Sequence, residues 1–179
     1  MTTAPRRNTL RLPGFDYASP RAYFVTVCTY RRECLFGRVE QSKMRLGPLG
    51  LIVQEEWLRT GVVRSHVEVD TFAVMPNHLH GILILREHDV GATRRVAPTE
   101  HPDGPRPGSL GAIVGQFKSM TSRRINELRG TASVSVWQRG YYEHVIRGGQ
   151  ELAKVREYIQ NNDLQWALDR ENPECIQRL

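Results

Sequence analysis

No apolar run in the 179-residue chain approaches the roughly 20 residues that a membrane-spanning helix requires. The opening stretch, MTTAPRRNTLRLPG, has arginines but no hydrophobic segment behind them, so it does not read as a secretory signal and a cytoplasmic location is expected. Cysteine is scarce: Cys28, Cys34 and Cys175 are odd in number and widely spread, which argues against a disulfide framework and predicts reduced thiols. Their spacing matches no common structural zinc pattern even when histidines are added. There is no internal repeat and no glycine-rich phosphate loop. Lysine is nearly missing, since Lys43, Lys118 and Lys154 are the only lysines among 25 basic residues.

What remains is arginine. The balance of 25 basic to 19 acidic residues leaves a net charge of +6. Guanidinium groups bind phosphate bidentately and stack on bases, so this bias favours a nucleic-acid partner; a genomic preference for arginine codons would give the same composition. With 40% hydrophobic and 25% charged residues, the chain has the composition of one globular domain with ample core.

The segment from Arg6 to Ala22 mixes arginine, proline, glycine and turn formers, and reads as an extended basic arm. YFVTVCTYRR (Tyr23 to Arg32) is β-branched and aromatic, and predicts a strand. CLFGRVEQSKMRL reads as a turn with a possible short strand. Pro48 to Arg59 predicts a helix whose stripe of Leu49, Ile52, Val53 and Trp57 is interrupted only by Glu56. VEVDTFAVMP and HLHGILILRE are two further strands with Pro-Asn forming a tight turn between them. His88 to Ser109 has no periodicity and reads as a long loop. Leu110 to Leu128 carries a helical face of Ile113, Val114, Phe117, Met120, Thr121, Ile125 and Leu128, with Gly130 as its stop. Val134 to Val145 predicts a last strand bent at Gly140, and Gln150 to Gln160 a last helix with Leu152, Val155 and Ile159 buried. The order β, α, β, β, α, β, α predicts an α+β fold, a ferredoxin-like or RRM-like antiparallel sheet with helices packed on one face.

Within HLHGILIL, strand alternation projects His78 and His80 side by side while Leu79 goes to the other face. Two neutral imidazoles at that spacing can share a divalent cation, although His-x-His by itself also suits two hydrogen-bonded surface histidines. A catalytic metal needs a third ligand. In the last helix Tyr158 and Asn162 are four residues apart and so share a face, beside the apolar stripe. Taken alone they would be a core-edge tyrosine and a helix cap.

Together, His78-Leu79-His80, the stretch WQRGYYEHVIRGGQELAKVREYIQNN (Trp137 to Asn162) and RLPGFDYASPRAYFVTVCTYRR resemble a REP-associated tyrosine transposase, of the single-tyrosine HUH transposases of bacterial insertion sequences. The resemblance spans nearly the whole chain except the His88 to Ser109 loop and the extreme C-terminus. It implies that His78 and His80 bind a metal, Mg²⁺ or Mn²⁺, that Tyr158 is the nucleophile, and that Asn162 is the third ligand. Mobile members of the family often carry glutamine at that last position; asparagine is one methylene shorter, which leaves room for a bridging water. The activity implied is cleavage and rejoining of single-stranded DNA beside a palindromic repeat hairpin through a 5′-phosphotyrosine, by a monomer or homodimer. Arg6, Arg7 and Arg11 on the arm, with Arg123 and Arg124, are the candidate phosphate contacts, and Tyr23 or Tyr141 could stack on unpaired bases. The chain then divides into a basic arm (1–22), the transposase domain (23–165, with the 88–109 loop) and a C-terminal tail (166–179).

Other His-x-His enzymes fit poorly. Histidine-triad hydrolases want a third histidine, and metallo-β-lactamases an aspartate, where this chain has Ile82. A non-catalytic, domesticated DNA-binding protein of the same fold is the alternative reading. An RNA-recognition module is disfavoured because Tyr23 and Phe24 lack its aromatic-and-glycine context.

Overall fold

A computed structural model describes residues 15–87, 105–169 and 172. Arg6, Arg7 and Arg11, and residues 88–104 of the long loop, lie outside the described residues. Among the described residues no helix is long and apolar enough to cross a membrane.

β1 (Ala22–Cys28), β4 (Val67–Val74), β5 (His78–Leu85) and β6 (Tyr142–Ile146) form one sheet in the order β4-β5-β1-β6, with every neighbouring pair antiparallel. A small hairpin of β2 (Gly37–Glu40) and β3 (Lys43–Leu46) stands apart from it. Alternation along β1 and β5 divides the sheet into two faces. Tyr23, Val25, Val27, Leu79, Leu83 and Leu85 join the main core, which also takes Val53 and Trp57 from α1 (Pro48–Val62) and Ile113, Val114 and Phe117 from α2 (Leu110–Arg129).

The opposite face is covered differently. Ile82 and Ile146, flanked by Phe24, Ala73 and Ile84, pack with Leu152, Val155 and Ile159 of α3 (Gly149–Gln160). The α+β sheet is as the element order predicts, but only α1 and α2 share a face. The third helix crosses to the other side because β5 is apolar on both faces: its odd-numbered leucines and its even-numbered isoleucines each require cover.

Local chemistry sets the helix ends. Pro48 stands at the start of α1, the Ser109 hydroxyl accepts from the Ala112 N–H at the start of α2, and Gly130 closes α2 in a left-handed conformation with φ of 63°. Pro76 and Asn77 make the turn between β4 and β5, closed by Met75 N–H donating to His78 O at 2.8 Å. The last strand is shorter than its sequence suggests. Trp137 makes only an isolated bridge to Thr29, flanked by Tyr30 N–H donating to Val136 O and Gln138 N–H to Cys28 O. The carbonyls of Gln138 and Gly140 accept from the Lys118 ammonium, so a short bridge and a side chain hold this segment in place of a continuous ladder. Residues 15–21 are not an extended arm: Phe15 and Tyr17 pack on the main core.

Candidate active site

Side-chain alternation on β5 places the rings of His78 and His80 with centroids 4.3 Å apart on the α3 face of the sheet, both buried. Each imidazole is held by its Nδ1. Asn77 Oδ1 lies 2.9 Å from His78 Nδ1, and Asn77 Nδ2 donates to Arg32 O at 3.1 Å. Because a carbonyl can only accept, the amide orientation is assigned, Oδ1 must be the acceptor, and His78 carries its proton on Nδ1. Its Nε2 is therefore a bare lone pair. His80 Nδ1 meets the Thr26 hydroxyl at 2.8 Å from the neighbouring strand, where the register sets Thr26 opposite His80.

Burial lowers the pKa of both histidines, since a charged ring would lose its hydration. The positive charge of Arg32 reinforces this for His78, against a smaller opposing effect of the Asn162 side chain; His78 does the same for His80, with Asp169 opposing. Neutral imidazoles are the form that binds metals.

Beyond α3 the chain kinks at Asn161 into α4 (Asn162–Gln165) and a 3-10 turn (Trp166–Leu168), which delivers Asp169 to the histidines. Ligand atoms of His78, His80 and Asp169 all lie within 4.8 Å of one another. Asn162 is 1% exposed, and its Nδ2 donates to Asp169 Oδ2 at 3.4 Å. His78 Nε2 and Asn162 Oδ1 are both buried with no hydrogen-bond partner among the described residues. A buried lone pair left unmet is costly, so these atoms fit a cation better than they fit each other's company alone. Two imidazoles, a carboxylate and an amide oxygen make a donor set suited to a divalent ion.

Tyr158, on α3, is 42% exposed, and its Oη lies 3.3 Å from His80 Nε2. Phe24 sits edge-on to its ring with centroids 6.1 Å apart. The tyrosine, His80, Asn162 and Asp169 border an open cavity of about 700 Å³, with Phe24, Tyr141, Tyr142 and Arg32 on its other walls.

The sequence-predicted residues thus separate into those brought together and those left out. His78, His80, Tyr158 and Asn162 converge. Arg124 does not join them: its Nη1 meets Glu56 Oε1 at 2.8 Å and its Nη2 meets Glu55 Oε2 at 2.7 Å, tying α2 to α1 on the far face of the sheet. That pairing accounts for the buried glutamate in the α1 stripe. Arg123, on the same helix, is exposed and 3.9 Å from Glu127. Tyr23 cannot stack on a base, being fully buried with its hydroxyl donating to Ser19 O; Tyr141 does line the cavity. Sequence reasoning missed Asp169, Asn77, Thr26 and Arg32. Asn77 could have been suspected, because Pro-Asn directly abuts His78. The other three carry no local signal.

No family model matches the chain. A Haemophilus influenzae protein described only as uncharacterized is 36% identical over 170 residues, covering 92% of each chain. Among solved structures, the fold is similar to that of a REP-associated tyrosine transposase bound to a REP hairpin, with a TM-score of 0.58 and 17% identity over 90% of this chain and 76% of that one. The chain therefore belongs to one family with the Haemophilus influenzae protein and is built on the fold of the REP-associated tyrosine transposase.

Proposed function

We propose that the protein is a DNA transposase of the single-tyrosine HUH type, a metal-dependent endonuclease and strand transferase acting on single-stranded DNA beside hairpin-forming repeats. The observation that carries this reading is the position of Tyr158 Oη, 3.3 Å from His80 Nε2, in a cluster where His78, His80 and Asp169 can hold a metal ion. Similarity to a transposase bound to a repeat hairpin supports the choice of substrate.

In the reaction, Tyr158 Oη attacks the phosphorus of a phosphodiester. The Oη–P bond forms as the P–O3′ bond breaks, and the proton lost by the phenol is balanced, through water, by one gained at the 3′ oxygen. The products are a 5′-phosphotyrosine and a free 3′-hydroxyl. The phosphotyrosine keeps the ester linkage, so a second 3′-hydroxyl reverses the step and no nucleotide cofactor is needed. A phenol with an ordinary pKa near ~10 is protonated at neutral pH, and must be assisted. A bound Mg²⁺ or Mn²⁺ would supply that assistance by polarising the phosphate and offsetting the charge that builds on it. His78 and His80 serve as neutral donors fixed by Asn77 and Thr26, Asp169 adds a negative charge and Asn162 an amide oxygen. Tyr158 reaches His80 of its own chain, which supports a site built within one chain. Arg6, Arg7 and Arg11 are proposed to follow the DNA backbone by phosphate contacts.

The test is incubation of the protein with hairpin-flanked single-stranded oligonucleotides and Mn²⁺, followed by denaturing gels. Wild type should nick the strand and become covalently attached to its 5′ side, and Tyr158→Phe should do neither while binding the same DNA. Nicking that survives Tyr158→Phe would remove the nucleophile, and binding without any wild-type nicking would leave a non-catalytic DNA-binding protein.

A further inference from the structure

Between β1 and the hairpin of β2 and β3 the chain makes a 3-10 turn at Tyr30–Arg32. Arg31 and Arg32 both adopt positive φ, 55° and 58°. An L residue reaches this region only against the crowding of its Cβ, and glycine or asparagine is the usual occupant. Two successive arginines in this conformation therefore need a surrounding structure that imposes it. That structure is present. Thr29 N–H donates to Asn77 O at 2.8 Å, Tyr30 N–H to Val136 O at 2.8 Å, and the Thr29 hydroxyl to Glu33 O at 2.8 Å. Asn77 Nδ2, the amide that orients His78, donates to the carbonyl of Arg32 itself. The backbone of Arg32 and the ring of His78 are thus two ends of one hydrogen-bonded unit.

The two arginine side chains part company. Arg31 lies over the ring of Tyr30, with its Cζ 5.2 Å from the centroid. Arg32 lines the cavity shared with His80, Tyr158 and Asp169, close enough to His78 for its charge to disfavour protonation of that ring. Among the described residues around this cavity, Arg32 is the one permanently cationic side chain. A cationic side chain beside a cluster that itself suits a cation makes the cavity attractive to anions. Asp169 supplies one negative charge to that cavity, and a phosphodiester would supply another.

We propose that Arg32 is a catalytic residue whose guanidinium binds the non-bridging oxygens of the phosphodiester attacked by Tyr158. The inference rests on the strand-cleaving reading above. Charge on those oxygens rises as Oη adds to phosphorus, and a planar guanidinium offers paired N–H donors matched to two of them. Donors fixed before the reaction, at the place where charge develops, stabilise the transition state more than the ground state. The hydrogen-bonded turn sets the backbone from which the Arg32 side chain enters the cavity, and Asn77 couples that backbone to His78.

The test compares wild type, Arg32→Ala and Arg32→Lys in single-turnover cleavage of a hairpin-flanked oligonucleotide with saturating Mn²⁺, beside thermal unfolding and Mn²⁺ titration of each protein. Arg32→Ala should cleave about 100-fold or more slowly, with melting temperature and Mn²⁺ affinity close to wild type. Arg32→Lys should recover part of the loss, and added guanidinium ion should speed Arg32→Ala where sodium at the same ionic strength does not. Cleavage by Arg32→Ala at the wild-type rate overturns the inference. So does a loss matched by weaker Mn²⁺ binding, which would make Arg32 a support of the metal ligands or a counter-charge to Asp169. A wild type that fails to cleave overturns the strand-cleaving reading and this inference with it; a cleaving wild type with an unimpaired Arg32→Ala overturns this inference alone.

Discussion

Tyr158 Oη and His80 Nε2 lie 3.3 Å apart although 78 positions separate the residues in the chain. The contact joins the exposed edge of α3 to the buried centre of β5. On the strand-cleaving reading, it fixes where a reacting phosphate would sit, because the phenol stands at the mouth of the histidine cluster. It also sets the order in which the parts can be tested.

The third ligand is the first of these. Asp169 carries full charge and Asn162 only a carbonyl dipole, and the ligand atom of Asp169 lies within 4.8 Å of both histidines. Asp169→Asn should therefore weaken Mn²⁺ binding by about tenfold or more, and more than Asn162→Ala does. Isothermal titration with Mn²⁺ checks the ranking, and equal losses in the two variants would show that the carboxylate is not a ligand.

The buried Thr26 hydroxyl meets His80 Nδ1 at 2.8 Å. Thr26→Val keeps the volume and β-branching while leaving that nitrogen unmet. Stability should fall by about 1–3 kcal/mol, and Mn²⁺ affinity by roughly 10- to 100-fold. Urea unfolding and metal titration measure the two effects separately. A loss of stability with unchanged metal affinity would count against an orienting role.

The helix that carries Tyr158 is pinned two residues away. Arg156 Nε donates to Asp70 Oδ1 at 3.0 Å, and a second guanidinium nitrogen meets Oδ2. Asp70 occupies the irregularity in β4 between Val69 and Phe72, which breaks the ladder there. Reversing one charge, Arg156→Asp, should slow cleavage by on the order of tenfold or more, since small displacements of a reacting group are expensive in rate. The double exchange Asp70→Arg with Arg156→Asp should recover part of it. Single-turnover rates decide, and simple additivity of the two variants would rule out a positioning pair.

Acid should act in two windows. His78 and His80 have pKa values lowered by burial, so below the ordinary value of about 6.5 the unfolded chain binds protons that the native protein refuses. Stability is then full above that value and falls as pH drops toward the lowered native values. Asp70 behaves as a paired carboxylate, held down to about 2 by the Arg156 hydrogen bond. Its contribution is present above about 3.8 and is lost as pH falls through the native value. Melting temperatures between pH 7 and pH 5 should decline, and His78→Gln should flatten that decline while Asp70→Asn leaves its slope alone.

Gly81 follows His80 on β5 and faces Trp57, where an added Cβ would lie 2.5 Å from the indole Cζ2. Gly81→Ala should cost about 1–3 kcal/mol through overpacking. It should also weaken Mn²⁺ binding by displacing the strand that bears both histidines. Urea unfolding tests the first effect, and an unchanged midpoint would mean that Trp57 yields freely.

Much of this was readable along the chain because its causes are local. Alternation alone placed His78 and His80 on one face and Leu79 on the other, and the 3.6-residue period placed Leu152, Val155 and Ile159 in contact with the sheet, with Tyr158 beside them. The helix start at Pro48 and the stop at Gly130 depend on backbone chemistry within a few residues, so they too were legible. Resemblance of motifs added the proposed role of Tyr158, which periodicity could not supply.

Tertiary structure decided the rest, wherever a role depends on what lies across a gap. Arginines at 32, 124 and 156 look alike in sequence, yet one lines the cavity, one ties α1 to α2, and one pins α3 to β4. Asp169 becomes a metal-ligand candidate only because the kink at Asn161 turns the chain back over β5. Charge is a property of the residue and can be counted from the sequence; which charge it meets is set by packing between distant segments, and that determines whether it binds a ligand or holds the fold together.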